Sequence, residues 1–142
     1  DENEKHITSA LEAMAISDLR KRNLGELSGG QRQRAWVAMA LAQNTDILLL
    51  DEMTNSLDIK HQIETLRLIR KLNEEKHITV VMILHDINQA IAYSDKIIAM
   101  KDGKIIKDDV PQNVITNETL KNVYDIDLRV DTLDGHSVVI PV

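Results

Sequence analysis

Two short apolar runs separated by a helical pattern constrain the fold of this chain more than any other feature. The runs occupy residues 46–51, which read Asp-Ile-Leu-Leu-Leu-Asp, and residues 78–84, which are rich in β-branched side chains. Between them, apolar side chains recur at helical spacing, at Ile63, Leu66, Ile69 and Leu72. Continuous apolar runs of this length are typical of strands buried on both faces of a parallel sheet. The pattern therefore predicts a β-α-β crossover and an α/β fold class.

Two helices are predicted before the first run. The opening helix is amphipathic, with apolar positions at Ile7, Ala10, Leu11 and Met14. The second helix should begin after Ser28, because Ser28 and Gln31 have the spacing of a capping box. Its apolar face is predicted to contain Ala35, Trp36, Met39, Leu41 and Ala42. We interpret Trp36 and Met39 as core residues rather than as a platform for stacking bases.

The C-terminal third is predicted to form a series of short helices and strands. Asp86 and Gln89 have helix-capping spacing, so a helix should begin there. Lys-Asp-Gly-Lys at 101–104 is a hairpin signal. The further predictions are short helices at 112–115 and 118–124 and a terminal hairpin in which 128–132 pairs with 137–140 through Asp134 and Gly135.

Composition excludes several classes of protein. A formal charge of −6 argues against a general nucleic-acid binder, because neutralising phosphates requires clustered Lys and Arg. The chain has no cysteine, which excludes disulfides and thiolate metal sites and fits a reducing compartment such as the cytoplasm. Its aliphatic runs are far shorter than the roughly 20 residues that span a bilayer. The acidic first residues, 1–4, do not resemble a signal peptide.

A glycine turn at the start of the second helix is a candidate anion site. Gly29 and Gly30 allow the backbone to approach a ligand closely, and Ser28 adds a hydroxyl group. The N–H groups and the dipole of a helix N-terminus favour phosphate. A serine-capped helix after a glycine turn is also commonplace, so the turn alone is compatible with a purely structural role.

Polar residues with catalytic potential follow both apolar runs. Asp51 and Glu52 could divide the work between them, one holding Mg²⁺ and the other orienting a water beside a phosphate. Strands also often stop at acidic residues, which is the structural alternative. His85 could donate a hydrogen bond to phosphate or be satisfied by the adjacent Asp86. The other histidines lack zinc-site spacing and are interpreted as solvated or structural: His6, His61, His77 and His136.

These motifs, taken in order, resemble those of the ATP-binding-cassette (ABC) ATPases. Residues 27–31, Leu-Ser-Gly-Gly-Gln, are similar to the family's signature, and 47–52 to its Walker B strand. Ser56-Leu57-Asp58 resembles the D-loop, and His85 the switch histidine. The sequences at 32–36, Arg-Gln-Arg-Ala-Trp, and at 84–88, Leu-His-Asp-Ile-Asn, are most similar to those of the ATPase subunits of bacterial iron–siderophore importers. The resemblance implies a P-loop NTPase-like, three-layer α/β fold.

The resemblance also implies a role for each matching residue. ATP and Mg²⁺ are the implied ligands, with Asp51 holding Mg²⁺ through water and Glu52 and His85 acting in catalysis. The implied nucleotide-binding residues are Leu27, Ser28, Gly29, Gly30, Gln31 and Asp58. In this family the signature of one subunit closes over ATP held by the other. Ser28 and Gly30 would thus serve the opposite site from Asp51 and Glu52.

The chain departs from the family pattern at two points. Met53 stands where family members usually carry proline, which affects the stiffness of the turn that aims Glu52. No phosphate-binding loop is present, because Gln31 and Arg32 stand where that motif needs Lys and Ser or Thr. We therefore expect a C-terminal part of an ABC ATPase that cannot hydrolyse ATP alone. In this family, the strand that leads to the phosphate-binding loop lies inside the sheet. Its absence would expose the backbone edges of neighbouring strands and favour strand-exchanged oligomers.

The resemblance divides the chain into three parts. Residues 1–45 would be a remnant of the helical subdomain, 46–109 part of the RecA-like core, and 110–142 the terminal short helices and hairpin. The implied partners are a second ATPase subunit, as a homodimer, and membrane permease subunits, with no nucleic acid. The implied location is the cytoplasm, at the inner face of the bacterial plasma membrane.

Three functions remain compatible with the motifs. The first is the ATPase subunit of a bacterial importer, for which iron–siderophore complexes are the implied cargo. The second is a cassette ATPase in DNA repair or translation, which the negative charge and the lack of a coiled-coil insertion disfavour. The third is an inactive, truncated or scaffold chain, which the sequence separates poorly from the first.

Overall fold

The computed structural model describes residues 1–53 and 58–142. These residues divide into two units, Asp1–Ile83 and Leu84–Val142. The first unit contains α1 (Glu2–Ala13), α2 (Gly29–Leu41), β1 (Ile47–Leu50), α3 (Ile59–Lys76) and β2 (Thr79–Met82). The second contains α4 (Ile87–Tyr93), β3 (Ile97–Lys101), β4 (Lys104–Asp109), α5 (Pro111–Val114), α6 (Asn117–Tyr124), β5 (Leu128–Leu133) and β6 (His136–Pro141). The division into subdomains at 45 and 109 stays a prediction.

The β-α-β crossover is confirmed in the first unit. Strands β1 and β2 pair in parallel, with Leu48 opposite Val80, and α3 connects them. One face of this pair packs against the helices, and the shared core includes Met14, Val37, Ala38, Leu48, Leu50, Ile69 and Leu72. The carboxyl end of β1 therefore leads directly from a packed core to Asp51.

The prediction that these strands are buried on both faces is wrong for the described residues. Leu48 is 3% exposed, whereas the neighbouring Leu49 is 72% exposed, and Ile47, Val81 and Ile83 are also exposed. Side chains alternate between the two faces of a strand. The described helices cover only one face of β1 and β2, so every second apolar side chain meets solvent.

The predicted core positions on α2 are wrong in part. Trp36 is 55% exposed and Met39 is 53% exposed, whereas the adjacent Val37 and Ala38 are buried. An α-helix turns by about 100° per residue, so Trp36 and Met39 lie on one side of α2 and Val37 and Ala38 on the opposite side. The direction from which neighbouring elements approach α2 decides which pair is buried.

The predicted helix caps are confirmed. The Ser28 hydroxyl accepts a hydrogen bond from the Gln31 backbone N–H, and the Gln31 side chain accepts one from the Ser28 backbone N–H. Asp86 caps α4 by accepting from the Gln89 backbone N–H at 2.9 Å. These capping bonds satisfy amide groups that a helix start would otherwise leave unpaired.

The two predicted hairpins of the second unit are also confirmed. Strands β3 and β4 are antiparallel, as are β5 and β6. Their turns place Asp102 and Gly103 at φ 49° and 72°, and Asp134 and Gly135 at φ 50° and 80°. Such left-handed pairs match the right-handed twist of a hairpin. The unit has its own core, which includes Val114, Ile115, Leu120 and Val139.

The side chain of Asn88 connects α4 to the terminal hairpin. Its amide nitrogen donates to the Val139 carbonyl at 3.2 Å, and its oxygen accepts from the Val139 backbone N–H at 2.8 Å. Asn88 thus pairs with β6 much as a neighbouring strand would. The helix that begins beside His85 is held against the C-terminal hairpin through this residue.

Replacing Asn88 with alanine should therefore destabilise this unit. Loss of both bonds leaves a peptide group without its partner, and we expect a cost of about 1–3 kcal/mol. Hydrogen exchange at the Val139 amide should accelerate, and denaturant unfolding should report the loss of stability. Asn122→Ala, at an exposed position of the same unit, is the matched control. Unchanged Val139 exchange in Asn88→Ala would contradict the pairing.

Candidate functional site

The turn before α2 combines a buried anchor with an exposed tip. Leu27 is buried in the core of the first unit, and its carbonyl oxygen accepts a hydrogen bond from Arg32 at 3.2 Å. Ser28 and Gly29 are exposed, whereas Gly30 is buried. The anchored Leu27 and the capping box hold the turn while its tip stays open to a ligand.

Gly30 is required by close packing rather than by its backbone torsion. A β-carbon placed on Gly30 would lie 2.8 Å from the Cδ2 atom of His61 on α3. Carbon atoms do not approach so closely without one of them shifting, so an alanine here would displace the ring or the helix. The second glycine of the turn is thus explained by the contact between α2 and α3.

Asp51 and Glu52 follow β1 and are both exposed. Glu52 has a φ of 49°, in the left-handed region that residues other than glycine seldom adopt. Unusual backbone conformations of this kind cluster at functional sites. Met53, which stands where proline is expected, packs against the core of the first unit. An apolar anchor therefore follows Glu52 directly.

Asp58 is the N-cap of α3. Its Oδ1 atom accepts from the His61 backbone N–H at 2.9 Å, and its two oxygens lie 2.8 and 2.9 Å from the His61 Nδ1 atom. The backbone bond, followed by the side-chain bond, holds the pKa of the Asp58 carboxyl below its ordinary value. Asp58 is thus ionised at neutral pH. Ser56 and Leu57, the rest of the predicted D-loop, lie outside the described residues.

His85 belongs to the second unit and is exposed. It directly precedes Asp86, whose carboxylate caps α4. The candidate residues are therefore distributed over both units. In the first unit, the structure brings Gly30 and Asp58 together through His61, and it places Asp51 and Glu52 at the end of β1. The predicted role of His85 stays a prediction.

His61 is the residue whose part in this arrangement sequence reasoning missed. From the sequence, only a solvated or structural role is predicted for it, although Asp58 and His61 have the three-residue spacing of a helix cap. That spacing could have indicated their hydrogen bond. The contact between His61 and Gly30 joins residues 31 positions apart, and no local pattern signals it.

Across the described parts of the chain, no three His, Asp or Glu side chains cluster closely enough to hold a metal ion. Asp51 alone could hold Mg²⁺ only through water or together with ligand oxygens, which is a common mode for this ion. Within the same residues, no helix combines the length and apolar character needed to cross a bilayer.

Comparison with known proteins identifies the family. The family model for ABC transporters matches residues 2–55. The chain is 44% identical, over 99% of its length, to the ferric enterobactin transport ATP-binding protein of Escherichia coli (strain K12). It is 43% identical over 94% of its length to a petrobactin import ATP-binding protein of Bacillus subtilis (strain 168), and 46% identical over 93% to that organism's iron(3+)-hydroxamate import ATP-binding protein. The chain belongs to the ABC transporter family.

Solved structures of ABC proteins share the fold. The chain superimposes on a metal-chelate type ABC transporter in an inward-facing conformation with a TM-score of 0.84 and 29% identity, over 96% of this chain and 56% of that one. An ATP-binding cassette solved in its ADP conformation gives a TM-score of 0.78 and 26% identity, over 88% and 50%. The predicted family and α/β fold class are therefore confirmed.

This ABC-family chain spans about half the length of the curated relatives that it matches. It covers 53% of the petrobactin protein, 52% of the ferric enterobactin protein and 49% of the iron(3+)-hydroxamate protein. Roughly half of the length of each of these three relatives lies outside the match.

Proposed function

We propose that the complete protein is the ATP-binding and ATP-hydrolysing subunit of a bacterial ABC importer for iron–siderophore complexes. One observation carries the proposal: relatives named for ferric enterobactin, petrobactin and iron(3+)-hydroxamate transport are 43–46% identical over nearly the whole chain. ATP hydrolysis would drive transport, and the cargo would be selected by other subunits.

The described geometry supports a division of roles among the candidate residues. The exposed Ser28 and Gly29 open the N-terminus of α2 to an anion, as nucleotide phosphates require. Gly30 permits the close packing behind that turn. We assign these residues, with their neighbours Leu27 and Gln31, to nucleotide binding.

The carboxylates after β1 fit the second set of roles. Asp51 and Glu52 are exposed side by side, so one can hold Mg²⁺ through water while the other orients the attacking water. When bound, Mg²⁺ neutralises charge on the phosphates. His85 would donate a hydrogen bond to a phosphate oxygen. Asp58 would act from the N-cap of α3, beside the signature turn of the same subunit.

The complete protein would act as a dimer, as the order of the family motifs implies. No phosphate-binding loop is present in residues 1–142, so a complete nucleotide site also needs the loop of the longer protein. The proposed assembly pairs two such subunits, with each signature turn facing nucleotide on the partner. It would act with membrane permease subunits at the cytoplasmic face. A net charge of −6 disfavours a nucleic-acid partner.

The uptake of iron–siderophore complexes tests this proposal directly. A strain lacking the complete protein should lose uptake of radioactive iron carried by at least one hydroxamate or catecholate siderophore. Restoring the complete gene should restore uptake, because hydrolysis supplies the driving force. Uptake of a substrate that contains no iron, such as cobalamin, is the control and should not change. Normal uptake of every siderophore tested would contradict the proposed cargo.

A further inference from the structure

The imidazole ring of His61 lies between two segments that the proposed function places at the nucleotide. On one side the ring meets Gly30 of the signature turn, and on the other it bonds to Asp58 at the N-cap of α3. We propose that His61 is a positioning residue that couples the signature turn, residues 27–31, to Asp58, the N-cap of α3. The functional part of this inference rests on the proposed function, whereas the geometric part does not.

The contact with Gly30 restricts the position of the ring. The Cδ2 atom of His61 occupies the space where a β-carbon would extend from Gly30, and the Cγ and Cβ atoms are 3.1 and 3.4 Å from that point. Gly30 is buried while His61 is half-buried, so the ring forms part of the wall behind the turn. Any movement of the ring toward α2 pushes directly on the signature backbone.

The bonds to Asp58 restrict the ring from the other side. The Nδ1 atom is within hydrogen-bond distance of both carboxylate oxygens. Because an ionised carboxylate can only accept hydrogen bonds, we infer that Nδ1 carries a proton and donates it. The backbone N–H of His61 donates to the same carboxylate. Both oxygens of Asp58 are therefore engaged by one residue, and the orientation of this carboxylate depends on His61.

A second link lies one turn further along the two helices. Arg34 on α2 donates to Glu64 on α3 at 3.3 Å, and Lys60 lies 3.9 Å from the same carboxylate. The N-terminal halves of α2 and α3 are thus held together at two points, by this ion pair and by the contact between Gly30 and His61. We therefore expect the helices to stay in place when the ring is removed, so that a His61 variant perturbs mainly the turn and the cap.

The consequence for the complete enzyme is a coupled pair of motifs. A signature turn must meet the phosphates in one orientation, and small displacements of positioning groups reduce rates steeply. We expect His61→Ala to lower the kcat for ATP hydrolysis about 10- to 100-fold. Nucleotide binding by the phosphate-binding loop should change by less than about twofold, because that loop lies outside the coupled segments.

Conservative and matched variants separate positioning from general damage. His61→Asn keeps a donor near the position of Nδ1 and should recover a large part of the lost kcat. His77→Asn, at the other end of α3, is the control, since asparagine tolerates its φ of 54°. In a double-mutant cycle, Gly30→Ala should destabilise the wild type more than it destabilises His61→Ala, which has lost the clashing ring.

The test combines these kinetics with NMR of the complete protein labelled at His and Asp. His61 should carry its proton on Nδ1, and the pKa of Asp58 should rise in His61→Ala. Additive effects of Gly30→Ala and His61→Ala, or an unchanged Asp58 pKa, would overturn the coupling. An unchanged kcat in His61→Ala would overturn its role in the reaction. A wild type that shows the coupling but hydrolyses no ATP would refute the proposed function alone.

Discussion

Replacing Glu52 with glutamine should abolish ATP hydrolysis by the complete protein while leaving nucleotide binding intact. Glutamine has the size of glutamate but cannot accept a proton from the attacking water. General-base catalysis is worth about 10²- to 10⁴-fold, so the rate should fall at least 100-fold. Glu52 is suited to the role because it is exposed after β1, at a left-handed φ of 49° with Met53 anchored beside it.

Two controls make the Glu52 result specific. Asp46→Asn removes an exposed carboxylate at the other end of β1 and should leave hydrolysis unchanged. The 142-residue chain alone should not hydrolyse ATP or bind a fluorescent ATP analogue with Mg²⁺ more tightly than roughly 100 μM, or about 5–6 kcal/mol. Hydrolysis by Glu52→Gln at the wild-type rate would remove Glu52 from the mechanism. Tight binding by the isolated chain would show that it needs no phosphate-binding loop.

Replacing Leu48 with alanine should cost about 2–5 kcal/mol of the free energy of unfolding of this chain. Leu48 is 3% exposed and packs in the core between β1 and the helices. Removing a buried isobutyl group loses its transfer free energy and leaves a cavity that the surrounding helices only partly fill. Denaturant unfolding followed by circular dichroism measures the difference.

The neighbouring Leu49 provides a matched control on the same strand. Because Leu49 is 72% exposed, Leu49→Ala should change the free energy of unfolding by less than about 0.5 kcal/mol. The two substitutions delete the same atoms one residue apart, so only burial distinguishes them. Equal losses would mean that another element, such as a second copy of the chain, covers the second face of β1. Light scattering would then be expected to show an oligomer.

Local patterns were sufficient for the elements and the motifs. Ser28 with Gln31 and Asp86 with Gln89 begin helices where their spacing predicts, because a cap is formed by residues within one turn. The Asp-Gly turns predict both hairpins for the same reason. The order of the motifs from Leu27 to His85 was also sufficient to predict the family, which sequence relatives confirm.

Burial could not be predicted from those patterns. The run at 47–50 is apolar throughout, yet only its alternate residues are covered by the described helices. Trp36 is exposed beside the buried Val37 because the orientation of α2 depends on α1 and α3 rather than on its own residues. Hydrophobicity determines which side chains can be buried, whereas the arrangement of neighbouring elements determines which of them are.

The sequence by itself determined the α/β elements, their caps and turns, and the family, since these depend on contacts within a few residues or on ordered motifs. Tertiary structure alone decided that Gly30 packs on His61. It also decided that one face of β1 and β2 is open among the described residues, and that Asn88 pairs with the terminal hairpin. These features join residues far apart in the chain. Their geometry therefore follows from packing, which no local pattern encodes.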